Sequence, residues 1–249
     1  MENKNQTSDK AKRDWLLPAS IVIAALLIGG SLVWSAGKKA ELARSDQFGE
    51  ERDAEALAEN VIPVSSEDHV LGNRDASVKM IVFTDLECPF CKSFHPEVKK
   101  ALVAYPQDLA VVYRHFPLQF HEYAEKEAEA SECVAELGGN TRFWEYIDRI
   151  FEVTESNGTG LSLSDRERLA VEVGVDKAKW NECVDSGKYE AKIADQTQNG
   201  IDAGGQGTPF SIIIGREGKK YPVPGAFPFE AEIAGQPSLK AFIESALVE

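Results

Sequence analysis

A pair of cysteines, Cys88-Pro89-Phe90-Cys91, sits between the apolar run Val78-Lys79-Met80-Ile81-Val82-Phe83 and a stretch from Lys92 to Tyr105 that reads as a helix. This placement at a strand-to-helix junction constrains the chain more than any other feature. A sulfur at the start of a helix faces the unpaired N–H groups of the first turn. Those donors favour thiolate over thiol, and cysteine pKa in such motifs falls from about 8.5 to roughly 3.5–7.5. Cys88 is therefore expected to be the exposed, reactive sulfur. Cys91, one turn on and buried, would resolve mixed disulfides.

A zinc site would need a second Cys or His pair at similar spacing. Cys133 and Cys183 lie far apart, and His115 and His121 are six residues apart. The sequence thus predicts redox chemistry, with no metal and no organic cofactor. Cys133 and Cys183 have only each other as intramolecular partner once the reactive pair is set aside. They form either a structural disulfide across two helices or two buried free thiols.

The chain has 41 acidic and 27 basic residues, a net charge of −14. With no compensating basic run, repulsion from phosphate argues against nucleic acid as a partner. Hydrophobic content of 43% is enough for a sizeable core.

Residues 15–34 contain no charged side chain, about the length a helix needs to cross a bilayer. Trp15 and Trp34 bracket the stretch. The expectation is a cytoplasmic tail over 1–14, a transmembrane signal anchor over 15–34 in contact with the lipid bilayer, and a juxtamembrane stalk over 35–61. The folded domain would cover 62–249, with a helical insert at about 119–203. That organisation predicts a single-pass cell-membrane protein whose catalytic domain lies in the periplasm or extracellular space.

Along the folded part the order reads strand, helix, strand, helices, strand, strand, helix. Strands are expected at about 78–84, 109–114, 210–214 and 220–223. Helices are expected from Pro89, at 121–138 (ended by Gly138-Gly139), 141–153, 164–173 (capped by Ser164), 176–186 (capped by Asp176, stopped by Gly187), 188–202 and 238–248. The triplet Asn157-Gly158-Thr159 fits a glycosylation sequon and marks a loop.

In this order, five segments resemble the DsbA-like thiol:disulfide oxidoreductases of the thioredoxin superfamily. They are Val70-Leu71-Gly72-Asn73-Arg74-Asp75-Ala76, Thr84-Asp85-Leu86-Glu87-Cys88-Pro89-Phe90-Cys91, Arg114-His115-Phe116-Pro117-Leu118, Arg142-Phe143-Trp144-Glu145-Tyr146 and Gly207-Thr208-Pro209. The resemblance covers about 62–249 and implies an α/β thioredoxin fold with an inserted helical domain, here preceded by a single N-terminal transmembrane helix. It makes Pro209 a cis proline facing the cysteines, with the Thr208 backbone free to pair with an extended substrate chain. Phe90 offers substrate an apolar face, and Phe116, Pro117, Phe227 and Pro228 either extend that face or pack in the core.

The expected activity is donation of disulfides to reduced or unfolded exported proteins, with a membrane redox partner reoxidising the pair. A reductase or isomerase of the same fold, or a non-catalytic chaperone module, is the alternative. One departure stands out. Many thioredoxin-fold enzymes carry a buried carboxylate six residues before the first cysteine, and here that position is Val82. Asp85 is expected to face solvent, while Glu87 should raise the Cys88 pKa by like-charge repulsion. His115 and Glu87 are the candidates for a base.

Overall fold

The computed structural model describes residues 53–156, 160–232, 235 and 237–248. The tail, the 15–34 stretch, most of the stalk and the 157–159 sequon lie outside the described residues. Described segments are a helix over residues 53–58 (α1), β1 (His69–Gly72), β2 (Val78–Thr84), α2 (Pro89–Ala104), β3 (Leu109–His115) and α3 (Ala124–Val153). Then come α4 (Leu163–Glu172), α5 (Lys177–Ser186), α6 (Glu190–Asp202), β4 (Phe210–Ile214), β5 (Lys220–Pro224) and α7 (Leu239–Val248).

The strands form one sheet in the order β1-β3-β2-β4-β5. Only β2 and β3 run parallel, which requires the crossover that α2 provides. Central β2 is buried on both faces, and its side chains alternate between two cores. Met80 and Val82 join Val111 and Tyr113 of β3 and Phe94 and Val98 of α2 on one side. Ile81 and Phe83 join Val112, Phe116, Phe210 and Ile212 on the other, together with Ala58 and Val61. Residues 58 and 61, within the stretch assigned to a stalk, are thus buried in the second core.

Strand β1 was not legible from the sequence. It is four residues long, contains His69 and ends at Gly72, and its pairing is with β3 alone. The two helices expected at 121–138 and 141–153 run on as α3, but Gly139 breaks the helical path with φ 74°, a conformation glycine adopts at little cost. Helix α4 is capped by Ser162, whose side chain accepts from the Asp165 N–H, rather than by Ser164. Asp176 caps α5, and Gly187 ends it in the left-handed region. The insert is held by Trp180, fully buried, whose Nε1 donates to the Ala130 carbonyl at 3.1 Å. Cys133 of α3 and Cys183 of α5 are bonded to each other, 50 residues apart in sequence.

Arg114, 3% exposed at the end of β3, gathers the N-terminal approach to the sheet. Its Nε and Nη2 donate to the two carboxylate oxygens of Asp68 at 3.0 and 3.1 Å. Its Nη1 donates to the Ile62 carbonyl at 2.8 Å and Asn199 Oδ1 at 3.0 Å, and Nη2 reaches the Pro63 carbonyl at 3.2 Å. A buried cation is tolerable only when its donors are met in this way.

Candidate active site

Strand β2 ends at Thr84, and the next four residues turn the chain so that Cys88 becomes the Ncap of α2. The turn is shaped by Asp85. Contrary to the expectation of a solvent-facing side chain, Asp85 is 1% exposed. Its carboxylate accepts from the Glu87 N–H at 2.7 Å, the Leu118 N–H at 2.8 Å and His121 Nδ1 at 2.8 Å. The partners at 118 and 121 are distant in sequence, so no local pattern announced them. Burial pushes the Asp85 pKa up, and these hydrogen bonds only partly offset it.

Cys88 and Cys91 are free thiols, and both are buried. Cys88 is 3% exposed rather than open to solvent, because the loop before β4 covers it. The Cys88 thiol lies 3.3 Å from the Thr208 carbonyl, and the Thr208–Pro209 bond is cis. Cys91 Sγ accepts from the Asp85 N–H at 3.5 Å.

The electrostatics of the two sulfurs are opposite. A hydrogen bond from Cys91, outweighing burial and helped by Thr208 and the backbone N–H groups of Cys91 and Phe90, lowers the Cys88 pKa to about 6. Burial, and then the neighbouring Cys88, push Cys91 well above the usual thiol range. The expected rise at Cys88 from Glu87 does not occur. Glu87 is fully buried and spends its carboxylate on the N–H groups of Tyr123, at 2.8 Å, and Gly160, at 3.3 Å. A thiolate beside a thiol that holds its proton is the pairing that thiol–disulfide exchange requires.

His115 is likewise engaged elsewhere. It is fully buried, and its Nε2 bonds Glu132 Oε1 at 3.1 Å, the same oxygen that His69 Nε2 meets at 3.0 Å. Lys192 holds the other oxygen of Glu132 at 2.7 Å. Of the aromatic residues considered for a substrate face, Phe90 is 65% exposed, but Phe116 is buried in the second core. Phe227 packs edge-on against Phe242. Phe120, which the sequence reading passed over, is 76% exposed on the loop tied to Asp85 by His121. Its neighbour in sequence, His121, was noted only for its spacing.

Fold and thiol pair together define a DsbA-like thiol:disulfide oxidoreductase, an enzyme class built on the thioredoxin fold with a helical insertion. The chain belongs to the thioredoxin family, whose model, described as Thioredoxin, matches residues 65–223. Among solved structures it resembles Pseudomonas aeruginosa DsbA2, at 26% identity and a TM-score of 0.61 over 75% of this chain and 98% of that one. It also resembles oxidised BdbD from Bacillus subtilis, at 20% identity and a TM-score of 0.62 over 75% of this chain and 96% of that one. The second likeness is one of fold.

Among curated proteins it is similar to Na(+)/H(+) antiporter NhaA 3 of Salinispora tropica, 32% identical over 165 residues. That match takes in 66% of this chain but only 24% of the antiporter, so the chain spans about a quarter of the length of such relatives. The single-pass, outward-facing membrane localisation expected from the sequence is corrected by these findings. The curated relatives are named as antiporters, which are multi-span membrane proteins. Among the described residues no helix is long and apolar enough to cross a membrane.

Proposed function

We propose that the protein is an oxidase of other proteins' thiols, passing the Cys88–Cys91 disulfide to reduced or unfolded chains. The opposite displacement of the two thiol pKa values carries this reading. A reduced form stabilised as a Cys88 thiolate makes the disulfide a readier donor. With the Cys88 pKa lowered from 9.0 to about 6, the reduced state is stabilised at pH 7 and the disulfide becomes the more oxidising.

In the cycle, a substrate thiolate attacks Cys88 Sγ of the oxidised enzyme. The Cys88–Cys91 bond breaks, its electron pair leaves on Cys91, and Cys91 takes a proton. A second substrate thiolate then attacks the substrate sulfur of the mixed disulfide, and Cys88 departs as thiolate. The substrate has been oxidised and the enzyme reduced, so a redox partner must accept two electrons to restore the pair. Thr208 and Pro209 provide the edge on which an extended substrate lies, beside Cys88. Exposed Phe90 and Phe120 give unfolded chains an apolar contact. The exchange domain in this reading starts before residue 62, taking in the buried Ala58 and Val61, and Cys133–Cys183 is structural.

Equilibration of the full-length protein against glutathione buffers tests it. A potential well above about −270 mV, the range of cytosolic thioredoxin, is expected. A value at or below that range overturns the oxidase reading in favour of a reductase. Cys88→Ser should abolish exchange altogether.

A further inference from the structure

Release of Cys91 as a leaving group puts a negative charge on a buried sulfur, and the usual neighbouring acid is replaced by Val82. Something else must move that proton. Directly beside Cys91 lies a half-open cleft lined by Val82, Cys91, His95, Tyr113, Phe151 and Pro209 among others. Two polar atoms of residues lining it, Tyr113 Oη and Trp144 Nε1, are buried without a hydrogen-bond partner among the described residues, as a site that takes up a water requires.

His95 is one helical turn beyond Cys91 on α2. Long helical side chains lean back over the preceding turn, which directs the imidazole toward the residue four positions earlier. Its side chain is 14% exposed. Nε2 is bound to Asp148 Oδ1 at 2.6 Å, and Lys99 holds the other oxygen of that carboxylate at 2.6 Å. With Nε2 donating, Nδ1 is left as the acceptor, and it has no hydrogen-bond partner among the described residues. The ring also packs against Phe151, centroids 5.0 Å apart, which fixes its plane. The titratable groups that face it are Cys91 and Lys99 on α2, Asp148 on α3, and Tyr113 on β3 across the cleft.

We infer that His95, held by Asp148, exchanges the Cys91 proton through a water in this cleft. The inference rests on the dithiol reading above. When substrate attacks oxidised Cys88, the S–S electron pair goes to Cys91, the cleft water gives Cys91 a proton, and the His95 imidazolium replaces it. The neutral imidazole is then reprotonated from solvent through the open side of the cleft. In reverse, Cys91 passes its proton to His95 by the same water as its sulfur attacks a Cys88 mixed disulfide, and the substrate leaves as thiolate with the electron pair. Histidine suits the task because its charge changes in the neutral pH range. Asp148 is a positioning residue, fixing the tautomer.

The test uses full-length protein carrying a one-cysteine peptide as a mixed disulfide on Cys88, with peptide release followed from pH 5 to 9. In the wild type, release should rise through neutrality and slow in D2O. His95→Gln keeps a donor for Asp148 but loses the base. It should release peptide on the order of tenfold or more slowly at pH 7, with the neutral rise gone and the isotope effect reduced. Added imidazole should restore release by His95→Ala. An unchanged pH profile in His95→Gln, or no rescue of a folded His95→Ala, overturns the relay while leaving the exchange reading intact. Failure of wild-type protein to form or release the mixed disulfide overturns the exchange reading itself.

Discussion

Glu127, on the first turn of α3, should make the protein less stable as pH rises through neutrality. The side chain is fully buried, with Oε1 accepting from the Leu161 N–H at 2.7 Å and Oε2 without a partner. Burial, with Glu87 and Asp85 adding repulsion, outweighs the Leu161 hydrogen bond and the pull of Arg166 and raises its pKa from 4.5 to about 7. A carboxyl whose folded pKa is raised contributes stability that is complete below the unfolded value and is lost as pH climbs through the folded one. The shift from 4.5 to about 7 corresponds to about 3 kcal/mol, most of it lost between pH 5 and pH 8.

Glu127→Gln mimics the neutral acid, since its amide can keep the Leu161 contact through oxygen and leave only the already unpartnered corner unmet. Urea unfolding at pH 5 and pH 8 should show the variant's loss of stability smaller than the wild type's by about 2–3 kcal/mol. At pH 8 the variant should be the more stable protein. Parallel pH dependences in the two proteins would refute the argument, because nothing else in the substitution is sensitive to pH.

Replacing Cys133 and Cys183 together by Ala reopens a loop closed over 50 residues and should cost about 4 kcal/mol in chemical denaturation. Cys91→Ala removes the largest influence lowering Cys88, so the pH midpoint for Cys88 alkylation by iodoacetamide should rise from about 6 toward the ordinary value. Asp85→Ala strands the N–H groups of Glu87 and Leu118 and the ring of His121. Loss of about 2–4 kcal/mol is expected in thermal or urea unfolding.

Much of this architecture could be read in advance because it is written locally. Near-continuous apolar runs bounded by turns mark β2, β3 and β4, and Asp176 and Gly187 bound α5 with chemistry that acts within four residues. The thiol motif is equally local. What escaped depends on contacts between distant segments. Asp85 looked like a surface acid until Leu118 and His121 closed over it. Cys88 looked exposed until Thr208, 120 residues away, covered it. His95 had no visible role because Asp148, its partner, is 53 positions further on. Strand β1, four residues on a sheet edge, is too short to show a period.

Arg114 has a mechanical consequence. Because its guanidinium grips the carbonyls at 62 and 63 together with Asp68, tension on the chain from the N-terminal side that overcomes the packing of Ala58 and Val61 next meets a buried charge on β3, beside the strand that leads to the thiols. A pull on this segment does not reach Cys88 until both that packing and the Arg114 grip fail. The exchange site is thereby isolated from strain in whatever leads into it.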